Sequence, residues 1–400
     1  MPGELRHTLF AVQRGGEPFL LLPSSARLAA RALALYPAQT AKARLAKNIL
    51  HLALQLGLKP GLGKMSAAIA GDDPFWQFLI QSVYPNPLAT SKNAFGVPPS
   101  GGSRAVPPEG GTPNESFRTR SRTAGLAADV PPQFAILAGN PRAPGRRFVL
   151  LLFNATGEPA AVVKAGLSNH ARRLLAHEEY FLRTRPEGQC GVPKLRGTFD
   201  SPRVHAFALD FFAGESPGAD ESAALAELLG SWIATDREVT MQDLGAWQRL
   251  AAATGASPGP DAVQALVEAR FHPVTSHGDF TPWNVKVARG QWTVLDWERG
   301  ELAGVPGWDW FHFVLQPALL VRRESTDALL RRLENLLGSA GFNAYAQRAG
   351  ILGREHALAL AYLAYCTRVT KQTEGLDRLA ALEAAAVTRW FSTVHQVKAG

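Results

Sequence analysis

The stretch His277-Gly278-Asp279-Phe280-Thr281-Pro282-Trp283-Asn284, continued by Trp292-Thr293-Val294-Leu295-Asp296-Trp297-Glu298, decides how this chain is read. A carboxylate, Asp279, is followed five residues on by an amide, Asn284, and twelve residues later by a second carboxylate, Asp296, at the end of an apolar, strand-like run. Phosphoryl transfer to a hydroxyl needs such a set. One carboxylate orients the acceptor hydroxyl and takes its proton. The amide oxygen and the second carboxylate hold Mg²⁺ against a triphosphate, because this hard cation prefers oxygen ligands.

Working outward, Gly304-Val305-Pro306-Gly307-Trp308-Asp309 follows within one short segment. Upstream, Phe134–Ala138, Arg147–Phe153 and Ala160–Lys164 are short apolar runs parted by Gly, Pro and Asn, which predicts an antiparallel meander. A helix is expected over Asn169–Arg183, then strands at Lys194–Thr198 and Val204–Phe211, then mainly helices after Gly214. A strand-rich lobe feeding a helix-rich lobe leaves a ligand cleft between them.

These elements resemble the aminoglycoside phosphotransferase and choline kinase-like family, a branch of the protein-kinase fold. The family signature is H-G-D-x-x-x-x-N, then an apolar strand ending in Asp-Trp, then Gly-x-Pro-x-x-Asp, all present here in order. The resemblance covers roughly Phe134 to Val321 and implies an α+β, two-lobed protein-kinase-like fold. It implies Asp279 as catalytic base, Asn284 and Asp296 as metal ligands, and His277 and Asp309 as braces behind the catalytic loop. Val162-Val163-Lys164 ends the third strand, where the family keeps the lysine that contacts nucleotide phosphates. Glu178, four residues before Leu182, is its implied partner, with Glu179 the adjacent alternative. Backbone groups of Phe211, Phe212 and Ala213 are implied to meet adenine. Thr281 stands where protein kinases carry lysine, which argues against protein substrates. Glu298 replaces the glycine of D-F-G, Trp283 stands where a small residue is usual, and Gly139–Gly145 has no G-x-G-x-x-G.

The expectation is a phosphotransferase moving the γ-phosphoryl group of ATP (or GTP), with Mg²⁺, to a hydroxyl of a small molecule. The alternative is a catalytically silent nucleotide-binding scaffold. Residues 134–213 are expected as the nucleotide-binding lobe and 214–400 as the catalytic lobe. Residues 1–83 are expected as a mainly helical appendage of unknown role with a strand or two at its front, and 84–133 as a Gly/Pro-rich disordered linker. In the appendage a helix from Thr40 to about Leu56 lines up Leu45, Ile49, Leu52 and Leu56, with Lys42, Arg44 and Lys47 in its first turns. Packing of that stripe on the neighbouring domain is favoured over a peripheral membrane contact through residues 40–56.

The 400 residues carry a formal charge of +8 with no Lys/Arg block that tracks a nucleic-acid backbone, so no nucleic acid is expected. Cys190 and Cys366 make no disulfide framework. Met1–Arg14 lacks a signal-peptide pattern, and no stretch approaches the roughly 18 apolar residues of a membrane span, so a cytoplasmic protein is expected. Gly57–Lys64 has the wrong spacing for a phosphate loop, with Met65 in place of Ser/Thr. Bunching in one segment makes His272, His277 and Asp279 poor candidates for a transition-metal site. Most of Trp308, Trp310, Phe311 and Phe313 are expected in the core, because their spacing covers most of a helix circumference.

Overall fold

A computed structural model describes residues 4–36, 38, 41–84, 131–139, 145–218, 221–255, 261–370 and 375–391. The linker expected at 84–133 lies almost wholly outside these residues, as do Thr40 and the turn at 140–144.

Eight strands form one antiparallel sheet: β1 Glu4–Arg14, β2 Glu17–Pro23, β3 Gly63–Ala70, β4 Gln133–Ala138, β5 Arg147–Phe153, β6 Pro159–Gly166, β7 Leu195–Asp200 and β8 His205–Asp210. Their order across the sheet is β3-β1-β2-β4-β5-β6-β8-β7. The meander β4–β6 therefore stands in mid-sheet, and the strand-rich lobe has the sheet and the partner helix that the sequence predicts.

The first 83 residues depart from the expected appendage. Helices α1 Ala26–Ala32, α2 Ala41–Gln55 and α3 Pro74–Val83 are present, but β1, β2 and β3 continue the same sheet. The junction is β2 on β4, with Leu20 opposite Leu137 and Leu21 opposite Ile136. Alternation explains why the strands belong there: His7, Leu9 and Ala11 of β1 are buried while their neighbours are less so. One sheet face is covered by α3, through Trp76, Phe78, Leu79 and Val83 against Phe134, Leu150, Leu152 and Val163. The other face receives α1 and α2, through Ala29, Ala30, Ala32 and Leu54 against Leu20, Leu22, Leu151 and Phe153.

The apolar stripe on α2 does not pack on the neighbouring domain as expected. The helix docks through Leu50 and Leu54, so Leu45, Ile49, Leu52 and Leu56 point outward and are exposed. Periodicity establishes that a face is apolar, but not that a neighbour covers it.

Helix α4, Asn169–Thr184, crosses to the second lobe, its Leu175, Phe181 and Leu182 sharing a core with Phe207, Trp232 and Trp297. The second lobe holds α5 Ser222–Ser231, α6 Gly245–Thr254, α7 Asp261–Gln264, α8 Trp308–Gln316, α9 Thr326–Leu337, α10 Ala340–Ala349, α11 Glu355–Tyr365 and α12 Leu376–Phe391. Six short strands are set among them: β9 Val239–Thr240, β10 Arg270–Phe271, β11 Val274–Ser276, β12 Val285–Ala288, β13 Gln291–Val294 and β14 Glu301–Gly304. Trp308, Trp310 and Phe311 are buried in the core of this lobe, and Phe313 is half-buried. No helix among the described residues is long and apolar enough to cross a membrane.

Candidate functional site

The loop His277–Asn284 runs from β11 into β12 and is held from behind by α8. Gly307 opens α8 at a left-handed φ of 85°. Asp309, in the first turn, accepts the His277 amide at 2.7 Å and the Gly278 amide at 3.0 Å. Gly278 has a φ of +74°, and a β-carbon there would lie 2.8 Å from the Arg299 carbonyl oxygen, so the loop passes too close for any other residue. The fully buried His277 donates from Nε2 to the Leu295 carbonyl at 2.8 Å and accepts the Asp279 amide on Nδ1 at 3.2 Å. Together these bonds assign a neutral imidazole protonated on Nε2. His277 thus ties the loop to the strand that carries Asp296.

Asp279 presents its carboxylate at the end of this turn. Oδ1 accepts from His312 Nε2 at 3.1 Å, and Oδ2 lies 3.3 Å from Asn284 Nδ2. Burial alone would raise its pKa, but the His312 hydrogen bond and the neighbouring charges, Arg299 among them, hold it below the usual carboxylate range. His312 in turn meets the Tyr362 hydroxyl at 2.8 Å through Nδ1. No sequence motif pointed to His312. A signal did exist: it stands three residues after Asp309 on one helix and therefore shares its face.

Asn284 and Asp296 are brought together by the β12–β13 hairpin, in which Val285 pairs with Val294 and the Leu295 amide donates to the Asn284 carbonyl at 2.7 Å. Asp296 adopts a left-handed φ of 71°, uncommon for a non-glycine residue. Its Oδ1 accepts from Lys164 Nζ at 2.9 Å and from Arg147 Nη1 at 3.4 Å. Burial opposes its ionisation, yet Lys164 and Arg147 hold its pKa far below the ordinary value. Lys164 also reaches both oxygens of Glu178, at 2.6 and 2.8 Å, and Glu178 accepts the Trp297 amide at 3.0 Å. Glu179 instead pairs with Arg183 and with His205, the latter at 3.0 Å.

Arg147 was not singled out by the sequence. From the start of β5 it reaches Asp296 and pairs closely with Glu298. Alternation along β5 puts it on the face of Val149, the register partner of Lys164. Burial and the adjacent Asp296 push the Glu298 carboxyl up, with Arg147 opposing them.

The connection between the lobes is tight. The Phe211 amide donates to the Ala160 carbonyl at 3.3 Å, and Glu215 bridges to Val287 of β12. Between them Gly214 passes so close that a β-carbon would lie 2.6 Å from the Val287 carbonyl oxygen. Phe211 and Phe212 are half-buried and Ala213 is exposed.

The donor set fits a hard cation. Asn284 spends Nδ2 on the Asp279 carbonyl at 3.0 Å, which turns its Oδ1 the other way, and Asp296 spends Oδ1 on the two cations, leaving Oδ2. Among the described residues no group of three or more His, Cys, Asp or Glu is placed to hold a metal ion alone. One carboxylate and one amide suit Mg²⁺ that brings its remaining ligands as phosphate and water.

A cavity of about 330 Å³ opens beside the loop, lined by Arg249, Gly278, Arg299, Glu301, Trp308 and Tyr365 among others. A larger one, about 530 Å³, lies among α7, α11 and α12 and includes none of the residues above.

No family model matches the chain, and no curated protein matches it. Solved structures do. An aminoglycoside phosphotransferase in ternary complex with ADP and hygromycin B is 12% identical, with 64% of this chain and 94% of that one covered and a TM-score of 0.41. Choline kinase from Cryptosporidium parvum is 10% identical over 66% of this chain and 91% of its own, with a TM-score of 0.38. An aminoglycoside phosphotransferase in ternary complex with streptomycin and ATP is 15% identical over 64% and 92%, with a TM-score of 0.37.

Proposed function

We propose that this protein is a phosphotransferase that moves the γ-phosphoryl group of ATP (or GTP) to a hydroxyl of a small molecule. The observation that carries this reading is the convergence of Lys164, Glu178 and Asp296, from β6, α4 and the end of the β13 strand, next to the Asp279–Asn284 turn. A binding scaffold has no need of all these groups in one place.

In this reading Lys164, aimed by Glu178, holds phosphate oxygens of the nucleotide, and Phe211 to Ala213 meet its base. Asn284 and Asp296 would hold Mg²⁺, which supplies charge neutralisation to the triphosphate. Asp279 orients the acceptor hydroxyl and takes its proton. The acceptor oxygen bonds to the γ-phosphorus while the bond to the β–γ bridging oxygen breaks, and its electron pair leaves with the nucleoside diphosphate. The low pKa of Asp279 keeps it ionised and ready to accept at neutral pH.

The test has two stages. Calorimetry with ATP and GTP at millimolar Mg²⁺ should show saturable binding that EDTA removes. A screen of sugars, amino alcohols and hydroxy amino acids should then find one that stimulates ATP consumption. No nucleotide binding would refute the reading, whereas binding without any stimulated turnover would favour the silent scaffold.

A further inference from the structure

Among the described residues ten large apolar side chains are exposed, and six of them fall between Leu45 and Met65. Leu45, Ile49, Leu52 and Leu56 are 61, 60, 58 and 68% exposed, and Leu58 adds 58% just beyond the helix. At about 100° per residue the first four form one straight ridge, roughly 16 Å long. The ridge stands on the outside of a helix whose opposite side is already docked through Leu50 and Leu54. It forms whether or not anything covers it.

The surrounding sequence is one-signed. From Pro18 to Gly71 there are seven Lys or Arg and no Asp or Glu, so nearly all of the chain's formal +8 resides there. Arg31 is engaged with Glu158 at 2.7 Å, and Lys47, on the inward side, feels Glu215 and Lys286 near the lobe connection. Lys42, Arg44 and Lys64 remain exposed. On the helical wheel Lys42 borders one side of the ridge, and Arg44 with His51 and Gln55 the other.

We infer that this face docks on an anionic lipid surface, with the leucine ridge entering the headgroup–acyl boundary and the flanking cations meeting lipid phosphates. Three observations select this occupant. The apolar feature is a convex ridge, which a deformable lipid surface accommodates and which offers no groove to a peptide. A second copy of the chain would bring the same exposed cations, Lys42, Arg44 and Lys64, face to face, so like charges would oppose pairing. A nucleic acid would match the charge but leave four large apolar side chains in water. Apolar insertion combined with basic flanks is the physical pattern of a helix lying in a membrane interface. Lys47 places α2 beside the lobe connection, so a docked protein would hold the cleft close to the surface.

The test uses the full chain and sedimentation with phosphatidylcholine vesicles, with or without phosphatidylglycerol. Binding is expected to the anionic vesicles, weakened by salt and by about fivefold for each of Lys42→Gln and Arg44→Gln. Leu52→Gln and Ile49→Gln should each weaken it about tenfold or more, while Leu352→Gln, an exposed leucine elsewhere, leaves it unchanged. The ridge side chains are exposed, so melting temperatures should hold and loss of binding will not reflect loss of fold. Absence of binding to anionic vesicles overturns the inference, as does binding that the ridge variants do not change. A concentration-dependent dimer abolished by Ile49→Gln would also overturn it, by giving the ridge to a second copy.

Discussion

Lys164 Nζ lies within 2.8 Å of both carboxylate oxygens of Glu178, a residue with no exposed surface. The neighbouring Glu179 points elsewhere, because successive helical residues are turned about 100° apart. On α4 the buried residues are Ala171, Leu175, Glu178, Phe181 and Leu182, so Glu178 shares the spacing of the core positions. Its charge is tolerated there because Lys164 and the Trp297 amide together satisfy it.

Lys164→Met and Glu178→Gln should therefore weaken ATP turnover to a similar degree, with the double variant little worse than either, because paired groups act as a unit. Glu179→Gln should be nearly silent in kcat/KM, since its partners are Arg183 and His205. Additive losses in the double variant would show that the pair does not work as one.

Asp309 makes a prediction about stability. Its two oxygens accept successive amides of the His277–Asn284 loop, and it is buried. Asp309→Ala would strand both donors, and hydrogen bonds to a charged group contribute about 1.5–3 kcal/mol each. A loss of roughly 2–5 kcal/mol in urea denaturation is expected. Asp309→Asn retains one acceptor and should lose less. Equal losses in the two variants would mean that packing, not the amide pairing, sets the cost.

The cysteines are distinguished by burial. Cys190 is exposed, whereas Cys366 is buried and its thiol is pushed up to about 12 by burial. Because the thiolate is the reactive species, a disulfide reagent at neutral pH should label one thiol in the native protein and the second only on unfolding. Rapid labelling of both in the native state would contradict the burial of Cys366.

The parts of this site that are close together along the chain are legible in the amino-acid sequence alone. The turn Asp279–Asn284 and the strand ending at Asp296 sit within twenty residues, and their spacing suggests which side chains converge. Arg147 is hidden from such a reading because its meeting with Asp296 spans 149 residues and depends on strand register. A strand or two is legible at the front of the chain, but their place in the sheet is hidden for the same reason: β2 finds β4 across more than a hundred residues, and no local signal announces a pairing so distant. Helix α2 misleads in another way. Leu50 and Leu54 make its inner side apolar too, and periodicity does not say which side the sheet takes.

His312 yields the sharpest prediction about chemistry. Asp279 is held ionised, so as an acceptor it requires a proton on His312 Nε2, 3.1 Å away. On its other side His312 Nδ1 is bonded to the Tyr362 hydroxyl at 2.8 Å. Held through both nitrogens, the ring fixes the Asp279 carboxylate and stabilises its charge. His312→Phe removes that bond and leaves burial unopposed, so the pKa of Asp279 must rise. Activity that needs ionised Asp279 is lost as pH falls through that pKa. The acid limb of kcat/KM should therefore move to higher pH by about one to two units, the equivalent of one hydrogen bond to a charged group. His312→Gln, which can still donate, should recover part of the shift. Asp279→Asn, by contrast, should lower turnover by roughly 10²–10⁴ at every pH, the usual worth of a positioned base. An acid limb that stays in place in His312→Phe would show that His312 supports the fold of the lobe and does not tune the base.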